Sequence, residues 1–122
     1  MRKGIVLLAA FVVYTTAGSV QNRAAEHRPN LKIVSVDYKV ADGCGVYLCV
    51  DWKVKVANQT GRTLRLMGKV KFLDADGYMV DGDMFTGYID GGHSRTFTGQ
   101  VPMPADDANR IASAKATIVD NY

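Results

Sequence analysis

Between Leu48 and Val56 the chain alternates strictly. Leu48, Val50, Trp52, Val54 and Val56 are apolar, and Asp51, Lys53 and Lys55 stand between them. A period of two puts successive side chains on opposite sides of the backbone, so this run is a strand with one buried and one wetted face. The same rhythm recurs along the chain. Leu31 and Ile33 keep odd parity, and Val36, Tyr38 and Val40 then keep even parity. Leu64, Leu66, Val70 and Phe72 face inward against Arg65, Lys69 and Lys71. Tyr78 to Ile89 forms a fourth run, with bulges expected at Gly82 and Gly87. Ser94 to Met103 forms a fifth, with Phe97 and Val101 inward and Pro102 and Pro104 ending it. Ala105 to Ala112 predicts a helical turn or a loop, and Ala114, Ala116 and Ile118 a sixth strand. Asn58–Gly61, Asp74–Gly77 and Asp90–His93 supply turns between these runs. Short strands at this spacing without an amphipathic helix predict an all-β fold. Residues 31–122 are expected to form an antiparallel β-sandwich of six to seven strands.

The first nineteen residues follow another logic. Arg2 and Lys3 precede the uncharged apolar run Ile5–Tyr14, and Thr15 to Ser19 are small. Positive flank, short apolar core and small-residue exit read as a secretory signal peptide over residues 1–19. A cut after Ser19 puts Ala17 and Ser19 at the −3 and −1 positions. The stretch from Ile5 to Ala17 is 13 residues long. A membrane span takes about 20, so an uncleaved anchor is the second reading and the only expected route to a membrane. Residues 20–30, polar and containing Pro29, are expected to be a flexible lead-in. The expected location is exported, periplasmic or extracellular. Without Arg2 and Lys3, the 15 basic residues fall to 13 against 12 acidic ones. A domain so nearly neutral is not built to hold nucleic acid by charge.

From Val54 to Thr98 the order of features is V-K-V-A-N-Q-T-G-R, then G-K-V-K-F-L-D-A-D-G-Y-M-V, a Gly-rich link, and G-G-H-S-R-T-F. This resembles the FxLYD-type domains, immunoglobulin-like sandwiches of bacterial exported proteins. Val70, Phe72 and Leu73 stand where that family has Phe, Leu and Tyr, while Asp74 and Gly77 agree. The resemblance implies an extracytoplasmic immunoglobulin-like sandwich module and implies no reaction.

Cys44 and Cys49 lie in D-G-C-G-V-Y-L-C. In an exported chain a pair of cysteines favours a disulfide, with two free thiols the alternative. Residues five apart point to opposite faces of a regular strand, so bonding requires a turn or bulge at Asp42-Gly43 or Gly45.

Lys53, Lys55, Arg65, Lys69 and Lys71 share odd parity on two successive strands. If those strands pair, five cations line one outer face. That face is a candidate for docking an envelope protein or an anionic envelope polymer, and otherwise a solvated sheet surface. No aromatic residue is expected to interleave on that face, which disfavours single-stranded nucleic acid.

Other constellations are thinner. Asp74-Ala75-Asp76-Gly77 starts like a calcium loop, but Phe85 holds the twelfth position where Glu is needed. Met79, Met84, His93 and Met103 suit Cu(I) chemically, which makes a periplasmic copper carrier the alternative function. His93 and Ser94 are adjacent, with Asp90 near, yet neighbours on a strand point apart. Asp81 and Asp83 share a face, where a turn or outer-face role is expected rather than paired acid–base chemistry. The sequence therefore predicts no enzyme and no cofactor. It predicts an exported module that binds another envelope component, most simply a protein.

Overall fold

The computed structural model of the protein describes residues 30–121, with side chains to Val119. The expected leader and most of the expected lead-in lie outside the described residues. Asn30, the last residue of that lead-in, is held by the Gln59 N–H at 2.9 Å.

Six strands form in the order β1 (Leu31–Cys44), β2 (Tyr47–Asn58), β3 (Leu64–Leu73), β4 (Met79–Ile89), β5 (Ser94–Met103) and β6 (Ser113–Asn121), with α1 (Ala105–Arg110) before the last. They make two three-stranded antiparallel sheets. Sheet 1 runs β1-β2-β5 and sheet 2 runs β4-β3-β6. The alternation that marks β2 in the sequence is what buries it. Val50, Trp52, Val54 and Val56 meet Leu66, Val70 and Phe72 of β3 in one core, joined by Phe85, Ile89, Phe97 and Ile118. The result is a β-sandwich.

The parity change in β1 has a local cause. Ile33 stands opposite Val56 and Ser35 opposite Lys55, so Val34 is an extra, unpaired residue. This bulge turns Val36 and Tyr38 inward where a regular strand would expose them. In β4 the irregularity is at Val80, since Phe72 faces Asp81 and Leu73 faces Met79. Gly82 and Gly87, the expected bulges, keep register and serve another purpose. A Cβ at Gly87 would press on Phe97 and Arg95, and one at Gly82 on the Val70 carbonyl and on Met79.

Three aromatic rings use the same device in the core. Trp52 lies over Gly99, its partner in β5, and Phe85 lies over Gly68, its partner in β3. Trp52 and Phe85 have centroids 5.7 Å apart, and Phe85 and Phe97 4.9 Å apart. The Trp52 indole N–H donates to Asp83 Oδ2 at 3.0 Å, which joins β2 to β4 across the sandwich.

The β2–β3 connection does not make a hairpin, because it carries the chain from sheet 1 to sheet 2. Asn58, 2 % exposed, organises this crossing. Its Nδ2 donates to the carbonyls of Arg62 and Ile89, both at 2.8 Å, and its Oδ1 accepts from Thr60 N–H at 3.0 Å and Thr60 O–H at 2.7 Å. At the other end, Cys44 and Cys49 form a disulfide with Cα atoms 5.4 Å apart. The register shift between Ala41 and Cys44 and the positive φ of Gly45 (68°) supply the turn that this spacing requires. Past β5, Pro104 stops the strand, and α1 carries Asp106 and Asp107 in its first turn and Arg110 in its last.

Candidate docking face

Because β2 and β3 lie in different sheets, the five cations do not share a face. Lys53 and Lys55 lie on the outer face of sheet 1, and Arg65, Lys69 and Lys71 on the outer face of sheet 2, on the far side of the molecule. The single five-cation surface expected from parity is thereby corrected. Parity fixes which side of its own sheet a residue takes, and the crossing at Asn58 puts the two outer sides back to back.

The two faces pair their charges differently. On sheet 1, Asp37 stands directly opposite Lys53 and Lys39 directly opposite Asp51. Gln100 Nε2 also donates to Asp51 Oδ1 at 2.8 Å. Opposite charges in register stabilise a sheet, and these two pairs cancel, while Lys55 stands between Ser35 and Thr96. A shallow concavity of about 750 Å³ lies here, lined by these charges with Thr98 and Gln100. Its charges are internally balanced.

On sheet 2, Lys71 stands directly opposite Lys115 of β6. Like charges in register destabilise a sheet by a few tenths of a kcal/mol, roughly. Lys69 and Arg65 extend the row along β3, and Met67 lies between them, opposite Asp120 in register. On the β4 side, Tyr88 faces Arg65, Met84 faces Lys69, and Met79 faces Leu73. Tyr88, Met79 and Met84 are 61 %, 55 % and 50 % exposed. A cleft of about 320 Å³ runs between Met79, Gly82, Met84 and Lys69. Asp83 reaches its rim, but its oxygens are engaged, Oδ2 by the Trp52 indole and Oδ1 by the Met84 N–H at 2.9 Å. The face is thus a cationic strand beside an exposed apolar strand. Lys115, Met84 and Tyr88 were not singled out as part of this face by the sequence pattern of β2 and β3. Tyr88 places one aromatic ring beside Arg65, a single platform rather than the series that stacked bases use.

The remaining candidates separate. Met79 and Met84 lie on sheet 2. Met103 is buried opposite Leu48 in sheet 1. His93 sits in the β4–β5 turn, its carbonyl accepting from the Asn58 N–H at 2.9 Å. The four groups of the copper reading therefore occupy three places. Among the described residues, no three His, Cys, Asp or Glu side chains gather as a metal site. Asp74 closes its turn: Oδ1 accepts from the N–H groups of Asp76 and Tyr78, both at 2.9 Å, and Gly77 takes φ 87°. Asp90 Oδ1 accepts from the Thr63 hydroxyl at 3.1 Å.

No protein-family model and no curated protein matches the sequence. Among solved structures, the fold is similar to the crystal structure of a DUF1425 family member from Shewanella sp. pv-4. That likeness has a TM-score of 0.55 and 13 % identity, covering 74 % of this chain and 77 % of that one. The X-ray structure of Northeast Structural Genomics Consortium target SoR45 overlaps with a TM-score of 0.46 and 10 % identity, over 76 % and 84 % of the two chains. At 13 % identity, the Shewanella protein supports the β-sandwich fold alone.

Proposed function

We propose that this chain is an exported, non-enzymatic sandwich module of the immunoglobulin-like, FxLYD type, and that it binds another cell-envelope protein through the outer face of sheet 2. The observation that carries this reading is the contrast between its two faces. Sheet 1 sets two opposite-charge pairs in register, Asp37 with Lys53 and Lys39 with Asp51, whereas sheet 2 sets Lys71 against Lys115 and leaves Met79, Met84 and Tyr88 wetted. Exposed apolar side chains beside the facing cations Lys71 and Lys115 are the chemistry of a contact surface for an anionic, partly apolar partner. The leader pattern of residues 1–19 supports export, and the turns at Asn58–Gly61 and Asp74–Gly77 support the family reading.

Site-specific photo-cross-linking in the native envelope tests the face. A cross-linker at position 84 is expected to capture a protein, and one at position 98 on sheet 1 is not. Lys69→Glu with Lys71→Glu should abolish the adduct. Capture from position 98 with none from position 84 would overturn the assignment.

A further inference from the structure

Resting on that reading, we infer that the partner presents an acidic amphipathic helix, laid along β3 and β4 with its apolar stripe on Met79, Met84 and Tyr88 and its acidic stripe on Lys69 and Lys71.

The argument starts from the spacing of the rows. Adjacent strands are about 4.8 Å apart. A helix with its side chains is about 10 Å across, so it covers two strands at once. On sheet 2 those two strands differ in chemistry: β4 offers the apolar row and β3 the cationic one. From Arg65, facing Tyr88, to Leu73, facing Met79, the strand runs about 26 Å at roughly 3.3 Å per residue. A helix spans that length in about 18 residues at about 1.5 Å each.

An extended segment fits this surface poorly. Lying on a sheet face it offers only one row of side chains, and its own N–H and C=O groups meet side chains that cannot pair them. A helix satisfies its backbone internally and brings two adjoining stripes. Addition of a strand at the β4 edge is opposed by Asp81 and Asp83, which share the inward parity of Phe85. A second copy of this chain would bring cations against cations. Residues 1–29 would bring Arg2, Lys3, Arg23 and Arg28 against a single acid, Glu26.

The test uses the purified full chain and two stapled helical peptides of one composition, each about 18 residues long. One has adjoining Leu and Glu stripes. The other has the same residues scrambled around the helix. Fluorescence anisotropy should show the striped peptide binding at least about tenfold more tightly. Lys69→Glu with Lys71→Glu should weaken it by about tenfold, and Lys53→Glu with Lys55→Glu should leave it unchanged. Equal binding of both peptides overturns the inference. So does binding to phosphatidylglycerol vesicles without binding to the striped peptide. A cross-link from position 84 into a non-helical protein segment overturns the helix and leaves the binding module standing. No cross-link from position 84 removes the binding reading, and the helix with it.

Discussion

The Asn58 amide, on β2 of one sheet, donates to the carbonyl of Ile89, on β4 of the other, at 2.8 Å. One buried side chain thus fastens the two layers where the chain crosses between them. Both its N–H donors and its carbonyl oxygen are used.

Asn58→Ala removes the side-chain partner of the Ile89 carbonyl and of the Thr60 N–H, while the Arg62 carbonyl keeps the Thr60 hydroxyl at 3.0 Å. A stranded buried group costs about 1–3 kcal/mol, so a loss of about 3 kcal/mol is expected. Urea unfolding followed by Trp52 fluorescence measures it. A loss below about 1 kcal/mol would show that water replaces the amide.

Gly68→Ala and Gly99→Ala put a methyl group into the rings of Phe85 and Trp52. Those rings are packed on all sides, so each variant should lose about 1–3 kcal/mol. Gly77→Ala, where the surrounding space is open, should lose less, through its positive φ alone. Thermal unfolding of the three variants ranks them.

Reducing Cys44–Cys49 opens a loop of about six residues, worth roughly 2 kcal/mol by loop-closure entropy. A single buried Val or Phe contributes about as much, and the shared core holds many. The reduced protein should therefore stay folded at 25 °C, with a lower denaturation midpoint. Circular dichroism with and without reductant distinguishes this from collapse.

Lys115→Glu converts the like-charged pair with Lys71 into an opposite one. The isolated protein should gain about 0.5 kcal/mol while capture of the partner falls. Stability and binding moving in opposite directions would separate a functional cost from a structural one. A variant less stable than the parent would count against the assigned face.

Burial raises the Tyr38 pKa above 10.0. Its hydroxyl lies 3.5 Å from the Ile111 carbonyl, and its ring meets Phe72 edge-on at 6.2 Å. The folded state holds the phenol proton more tightly than the unfolded chain. This contribution is therefore complete below pH 10 and is lost as pH rises through the folded value. Tyr38→Phe should flatten the fall in stability above pH 10 and change little at pH 7. Denaturant midpoints at both pH values check it.

Much of this was legible in the residues. The strand runs follow from alternation, because a half-buried strand has no other pattern. The parity change between Ile33 and Val36 was visible, but its cause, the Val34 bulge, came only with the pairing, and the bulges expected at Gly82 and Gly87 gave way to one at Val80. The Cys44–Cys49 disulfide needed the turn at Gly45 that its spacing implied. The candidate face was only half legible. Lys69 and Lys71 were named, but Lys115 lies 44 residues beyond Lys71 and reaches it only through β3–β6 pairing.

Composition and alternation alone determined that this chain makes strands, and which side of each strand is buried, because burial of apolar area acts on each residue locally. The partners of those strands were decided only by tertiary structure. The outward side chains of either layer look alike in one dimension. The Asn58 crossing sent β3 to the opposite sheet, and that set Lys53 and Lys55 on one outer face and Lys69 and Lys71 on the other, back to back.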